Sequence, residues 1–338
     1  MTTTASQASA PVHAVDLGLS RTPMTAAPAA SPAARIRARL DEQVRALLEH
    51  EPVAREGSHP EGVHQMRVSV RRIRAALKAT GAAVQTSAAL QEELRWLGRV
   101  LGEVRDLDVQ LDHLRTQAAG FEPAERDAVE RLLLGLRAAR RKARQRLLAA
   151  LRGHRYSTLL KDLAAAALSE APPAAAPRTG EQRAAANVEV IQRPYRKLRT
   201  AAAALGDEPS DDDLHTLRIH GKRLRYAAEL ALPAGGRPVH RLIRATKQFQ
   251  DVLGEHQDTV VAEELVRRLV AGLDRPVAPE LAFAAGRLVE RERARRADCR
   301  AGWRAALATV DSSAEEVLAG AATRQAGQAP RPPARPSR

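Results

Sequence analysis

Apolar residues recur every three to four positions along most of the chain, the spacing that gives a helix one buried face. Ala, Leu, Arg and Glu dominate, and no sustained alternation of β-branched residues marks a sheet; Val188–Ile191 comes nearest and is too short. The periodic stretches predict helices over about 33–50, 62–80, 88–117, 123–152 and 155–169, then over about 194–206, 213–230, 239–271 and 279–309. Pro194 suits the first turn of its helix. The expected fold class is all-α, as two four-helix bundles, the first over 32–170 and the second over 181–320. Residues 1–31, rich in Ser, Thr, Ala and Pro, read as a disordered tail, 171–180 as a Pro/Ala linker, and 321–338 as a disordered basic tail.

The two halves repeat each other. The block from His64 to Lys78, His-Gln-Met-Arg-Val-Ser-Val-Arg-Arg-Ile-Arg-Ala-Ala-Leu-Lys, has a counterpart 151 residues on, from His215 to Glu229. That counterpart reads His-Thr-Leu-Arg-Ile-His-Gly-Lys-Arg-Leu-Arg-Tyr-Ala-Ala-Glu. Leu-Gly-Glu-Val-Arg-Asp, ending at Asp106, returns 152 residues on as Leu-Gly-Glu-His-Gln-Asp, ending at Asp258. Two matched blocks at nearly one offset imply an internal duplication.

Charge sharpens the picture. Lys and Arg number 54 against 40 Asp and Glu, a net charge of +14, and all but six of the cations are arginine. A polyanionic partner is the first expectation; the plain alternative is a biased composition that leaves the arginines as solvated helix surface. The single cysteine, Cys299, excludes a disulfide framework or a Cys-rich zinc site and suits a reducing compartment. No stretch approaches the roughly 18 apolar residues of a membrane helix, and the first 31 residues do not read as a secretory signal.

Placement decides between those alternatives. At about 100° per residue, His64, Arg67, Arg71, Arg74 and Lys78 fall within an arc of roughly 80°, with Met66, Val70, Ile73 and Leu77 on the adjacent core-facing arc. In the second half His215, Arg218, Lys222 and Arg225 take the same stripe, which ends at Glu229. No acid interrupts 64–78 or 215–228, although like charges at this spacing repel by a few tenths of a kcal/mol each. An anion would relieve that repulsion, and arginine's planar fork suits phosphate. Carboxylates of neighbouring helices, Asp106, Asp108 and Asp258 among them, are the alternative partners. Further basic clusters are Arg95 and Arg99; Arg241, Arg244 and Lys247; Arg137, Arg140, Arg141 and Arg144; and Arg293, Arg296, Arg300 and Arg304.

Other readings carry less weight. The two histidines follow capping-like segments, Ser58 to Glu61 and Ser210 to Asp213, where a neutral ring is expected. A metal role lacks a second ligand at i+3 or i+4, and a histidine phosphotransfer module sits badly with the duplication and the strong positive charge. Gly102 and Gly254 suit close helix contact, and Trp96, Trp303, Tyr195 and Phe249 suit the core. Walker-type loops, HExxH and Gly-x-Ser-x-Gly are absent, so no catalytic residue, cofactor or metal site is expected. Aromatics are only 2 % of the chain, which argues against stacking on single-stranded nucleic acid.

His64-x-x-Arg67-Val-x-x-Arg71-Arg72-Ile-Arg74, its copy from His215 to Tyr226, and Leu101-Gly102-x-x-Arg105-Asp106 together resemble the CHAD domain, the "conserved histidine α-helical domain". The resemblance covers about 32–310. It implies two four-helix bundles related by pseudo-twofold symmetry, with basic residues lining a groove or pore between them. It also implies binding of inorganic polyphosphate and, for several members, association with polyphosphate granules. Binding roles fall to His64, Arg67, Arg71, Arg72 and Arg74, and to His215, Arg218, Lys222, Arg223 and Arg225; Gln257 stands where the first half has Arg105. Lys78, Arg95, Arg99, Arg141, Arg144, Arg244, Lys247, Arg296 and Arg300 complete the candidate set. The Glu-x-Glu-x-Lys strands of a fused triphosphate tunnel domain are missing, so a stand-alone, non-enzymatic binding module is expected. Its setting would be cytoplasmic, at polyphosphate granules, with sequence-independent nucleic-acid binding as the alternative.

Overall fold

The computed structural model describes residues 12–26, 32–79, 88–169 and 180–326, which are mostly helical with no strand among them. The chain divides into two compact units, 1–176 and 177–338. In the first, a 3-10 helix (Ala14–Leu17) precedes α1 (Pro32–Glu56), α2 (Glu61–Ala79), α3 (Ala88–Ala118), α4 (Pro123–Leu132), α5 (Leu134–Arg152) and α6 (His154–Leu168). The second holds α7 (Gly180–Ala203), α8 (Asp211–Ala271) and α9 (Pro279–Ala326).

The period of the sequence becomes the core of the first unit. Leu40, Val44 and Leu47 of α1 meet Met66, Val70, Ile73 and Leu77 of α2, Leu94, Leu97 and Leu101 of α3, and Leu147, Leu159 and Leu163 beyond. Gly62 brings α2 against α1: a Cβ there would lie 2.4 Å from the backbone nitrogen of Ala54. Gly57, at φ +70°, ends α1 in the left-handed region that favours glycine. The guanidinium of Arg144, from α5, donates there to the carbonyls of Ala54 (3.2 Å), Arg55 (2.7 Å) and Glu56 (2.5 Å). The turn into α2 is therefore pinned from the last long helix of the unit.

The second unit repeats this logic. Ile191 and Leu198 of α7 pack with Leu214, Leu217 and Leu224, with Leu242, Phe249 and Leu253, and with Trp303, Leu307 and Val310 of α9. Ser210 and Asp213 form a reciprocal capping box at the start of α8, with Asp213 N–H donating to Ser210 Oγ at 3.2 Å. Arg300 and Arg304 of α9 donate to the carbonyls of Pro209 and Gly206, each at 2.6 Å, pinning the turn into α8. Helix α8 is broken only at Gly236, at φ +59° and ψ −152°, which separates arms over 211–235 and 237–271. These arms pack closely at Gly221, where a Cβ would stand 2.9 Å from the Phe249 ring. Gln250 Nε2 donates to the Gly221 carbonyl at 3.0 Å. In the first unit the small residue lies on the other partner: Gly98 of α3 faces Val70 of α2, 3.6 Å from where its Cβ would be.

Several expectations are corrected. Residues 12–26, which read as part of a disordered tail, have described structure: Leu19 is buried, Met24 N–H donates to the buried carboxylate of Asp41 at 2.9 Å, and Arg45 donates to the Ser20 carbonyl. Pro194 lies inside α7, which starts at Gly180. The helix expected over 123–152 breaks at Leu133, where ψ swings to −2°, and α9 runs on to Ala326. Trp96 is half-buried, stacked under the Arg155 guanidinium at 4.2 Å. At the start of α2 the His59 ring, not Ser58, accepts the Glu61 N–H, at 3.2 Å. Residues 1–11, 171–179 and 327–338, on which parts of the tails and linker were expected, lie outside the described residues.

Candidate functional site

Where α2 packs beside α3, a cleft of about 370 Å³ opens on the surface of the first unit. Its lining is Arg67, Val70, Arg71 and Arg74 from α2 with Arg95, Gly98 and Arg99 from α3, so five of seven residues are arginines and none is acidic. Helical spacing creates this: 67, 71 and 74 share one face of α2, and 95 and 99 stand one turn apart on α3. Val70, 2 % exposed, forms the floor, and Gly98 keeps the opposite wall open. Arg71 and Arg74 are exposed, and neither carries an ion pair among the described residues.

Carboxylates stand at the rim. Arg67 Nη1 donates to Asp106 Oδ1 at 2.7 Å, crossing α3 over Gly102, where a Cβ would come 3.0 Å from that nitrogen. Gly102 thus makes room for an arginine side chain, not for a helix backbone. Arg95 Nε donates to Glu92 Oε2 at 2.7 Å, and Arg99 Nη2 reaches Glu92 Oε1 at 3.5 Å. The hydrogen bond from Arg95, with the charges of both arginines, holds the Glu92 carboxyl below its usual range. His64 is half-buried toward the N-terminal end of α2. Beside it Glu61 accepts a 2.5 Å bond from Gln65, and that bond, with His64 and Arg105 nearby, holds its carboxyl low.

Other candidates of the first half stand elsewhere. Arg72 is exposed but does not line the cleft, and neither does Arg141 on α5. The Lys78 side chain lies outside the described residues. Arg144 is engaged at the C-terminus of α1, which removes it from an anion-binding face.

The second unit carries a more neutralised version. His215 Nδ1 lies 2.8 Å from Gln257 Oε1, tying the two arms of α8 together. Arg218 and Lys222 are half-buried on the stripe. Arg225 faces Glu229 at 3.2 Å and lies over the Tyr226 ring. Arg223 is exposed; burial holds the His220 ring below its usual pKa, and the charges of Arg223 and Lys197 add to this. On the second arm Arg244 and Lys247 are exposed. At the 152-residue offset Lys247 matches Arg95, but Asp251 stands where the first unit has Arg99.

Arg296 and Arg300 belong to an internal network, which corrects their place among the binding candidates. Arg296 Nη2 donates to Glu263 Oε2 at 2.5 Å and Nη1 to Asp211 Oδ2 at 3.4 Å, while Arg300 bonds the other oxygen of Asp211. Burial pushes both carboxyls up, but the surrounding arginines outweigh it and hold them below their usual range. His256, 1 % exposed, sits 3.2 Å from Asp211. Burial lowers its pKa, Arg300 and Arg296 add to this, and Asp211 opposes them. A histidine depressed in the folded state contributes stability present above its unfolded pKa and lost as pH falls through the folded one. Thermal melts are therefore expected to shift down between pH 7 and pH 5, and His256→Val is expected to shrink that shift. Equal shifts for variant and parent would assign the acid sensitivity to other groups.

Each unit, then, is an all-helical bundle with arginines gathered on a helix face that the motif supplies. The family model described as "CHAD domain" matches residues 38–267, and the chain belongs to that family. The resemblance read from the motif is thereby borne out. Among solved structures, the CHAD domain from the plant Ricinus communis aligns with a TM-score of 0.60 and 29 % identity, over 88 % of this chain and 96 % of that one. PptA from Streptomyces chartreusis shares the fold, with a TM-score of 0.57 and 21 % identity over 82 % of this chain and 99 % of its own. In Mycobacterium tuberculosis, "Uncharacterized protein MT2285" (strain CDC 1551 / Oshkosh) and "Uncharacterized protein Rv2226" (strain ATCC 25618 / H37Rv) are each 33 % identical over 291 residues, 83 % of this chain. The chain spans about half the length of these curated relatives, 54 % in each case. No described helix is long and apolar enough to cross a membrane.

Proposed function

We propose that the chain binds inorganic polyphosphate through its basic helix faces and performs no chemistry on it. The observation that carries this reading is the cleft of the first unit, with five arginines and no acid in its lining. Each guanidinium can donate two parallel hydrogen bonds to phosphate oxygens and keeps its charge at every working pH. A flexible chain of phosphates suits such a row better than a rigid duplex, because its charges can follow the arginines. The stripe of the second unit, with Arg218, Lys222 and Arg225, extends the valency, so binding should strengthen with polymer length. The repeated motif supports an origin by internal duplication, and family membership supports a cytoplasmic role at polyphosphate granules.

Calorimetric titration with long-chain polyphosphate, repeated across salt concentrations, tests the reading. If all five cleft arginines engage phosphates, the log–log slope of affinity against salt should be roughly −4. Duplex DNA at equal phosphate concentration should fail to displace the polymer. Displacement would instead favour sequence-independent nucleic-acid binding by the same faces, and absence of binding, by heat and by retention on a polyphosphate column, would overturn the assignment.

A further inference from the structure

At the rim of the cleft of the first unit one carboxylate stands apart from the others. Glu92 precedes Arg95 by three residues and Arg99 by seven, so all three share one face of α3. One oxygen takes Arg95 Nε at 2.7 Å and the other meets Arg99 Nη2 at 3.5 Å. Its neighbour Glu93 is turned to another task, accepting from Arg155 of α6 at 2.5 Å. Asp106 differs again, because its bond to Arg67 joins α3 to α2 and has a structural reason. Glu92 joins no two helices. Its side chain is 49 % exposed, so it can leave its partners for water without opening any packed contact. At the 152-residue offset the second unit has Arg244, which shows that the scaffold needs no carboxylate at this place.

We infer that Glu92 is a built-in counter-ion, which an incoming phosphate chain displaces from Arg95 and Arg99, and that it sets a threshold of ligand charge for the cleft. This inference rests on the polyphosphate reading and deepens it. A carboxylate already supplies two oxygens and one negative charge to the two forks. A small anion such as sulfate or pyrophosphate can satisfy the two forks but brings few charges to the rest of the row, so its modest affinity is largely offset by the cost of removing the carboxylate. A run of phosphates brings several charges and many more oxygens to the same arginines, and also reaches Arg71 and Arg74. Glu92 therefore selects against sparse anions while leaving dense ones able to bind. Without it, Arg95 and Arg99 would hold only ions from solution, and any ligand would release those instead.

The test compares Glu92→Gln with the parent, titrated separately with long-chain polyphosphate, pyrophosphate and sulfate. Circular dichroism melts of both proteins establish that the exposed substitution leaves the bundle folded. The variant should bind pyrophosphate and sulfate about three- to ten-fold more tightly, the effect of freeing two exposed pairs. Polyphosphate meets the same cost of displacement and should gain by a similar factor, so that small anions rise to measurable affinity while the long polymer tightens with them. The salt slope for the variant should steepen by about one, since one more solution ion is released on binding. Equal affinities and equal slopes would make Glu92 a bystander and overturn the inference. Weaker binding by the variant would also overturn it, by showing that Glu92 holds the two arginines in place. If the parent neither gives heat with polyphosphate nor is retained on a polyphosphate column, the reading beneath the inference fails instead.

Discussion

A chain carrying Arg71→Glu together with Lys222→Glu is expected to lose long-chain polyphosphate affinity by about two to three orders of magnitude, with its helix content intact. Each change replaces a cation by an anion, Arg71 at an exposed and Lys222 at a half-buried position, so two favourable contacts become two repulsive ones. The salt slope should flatten by about two, one for each phosphate contact removed. The single substitutions should not contribute equally. Arg71 sits among five arginines in an acid-free lining, where a new carboxylate would pair with its neighbours and close the cleft to anions. Lys222 lies beside Arg225, whose charge is already shared with Glu229. Most of the loss should therefore follow Arg71→Glu. Elution of the double variant from a polyphosphate column at the same salt concentration as the parent would reject this face as the binding surface.

Arg296→Ala is expected to act in the opposite register, lowering stability and leaving affinity alone. Its guanidinium is 19 % exposed and holds Glu263, itself 10 % exposed, as well as Asp211. Removing one partner of a buried pair leaves the other's charge short of compensation, at a cost of about 3 kcal/mol. Arg267 and Arg293 still contact Glu263, and Arg300 still contacts Asp211, which places the loss at the lower end of that class. Urea unfolding should show a lower midpoint at unchanged slope. Polyphosphate affinity measured where the variant remains folded should equal the parent's. A variant as stable as the parent but weakened in binding would return Arg296 to the candidate site.

Much of this was legible in the residues. The spacing of Met66, Val70, Ile73 and Leu77 fixed which side of α2 is buried, and with it the outward aim of Arg67, Arg71 and Arg74. Arg95 and Arg99 were likewise readable as one face of α3. What periodicity could not supply was the partner of each exposed charge. Arg144, Arg296 and Arg300 look like Arg71 in a helical wheel, yet they end on carbonyls and carboxylates distant in sequence, from Ala54 to Glu263. An arginine reaches several ångströms past the helix surface, so its destination depends on which neighbour the fold sets beside it. Glu92 is legible in the sequence by its i,i+3 relation to Arg95, but it lies on α3, away from the acid-free runs 64–78 and 215–228 that marked the stripe. Residues 12–26 failed differently: their composition is that of a tail, while a few contacts, Leu19 in the core and the bonds at Ser20 and Met24, supply the anchoring. Pro194 was misplaced because proline's fit to a first turn does not forbid it further inside a helix held by tertiary packing.

The contact between the motif helix and the helix after it is filled in opposite ways in the two units. In the first, Val70 is the bulge and Gly98 the hollow; in the second, Gly221 is the hollow, against Phe249 and Gln250. The two halves are consequently no longer interchangeable parts. A graft of 64–78 in place of 215–229 would drive valine branches into the Phe249 ring, and the reverse graft would set glycine against glycine and leave a hole. Whatever exchange between the halves their sequence likeness invites, this one contact makes each compatible only with its own neighbour.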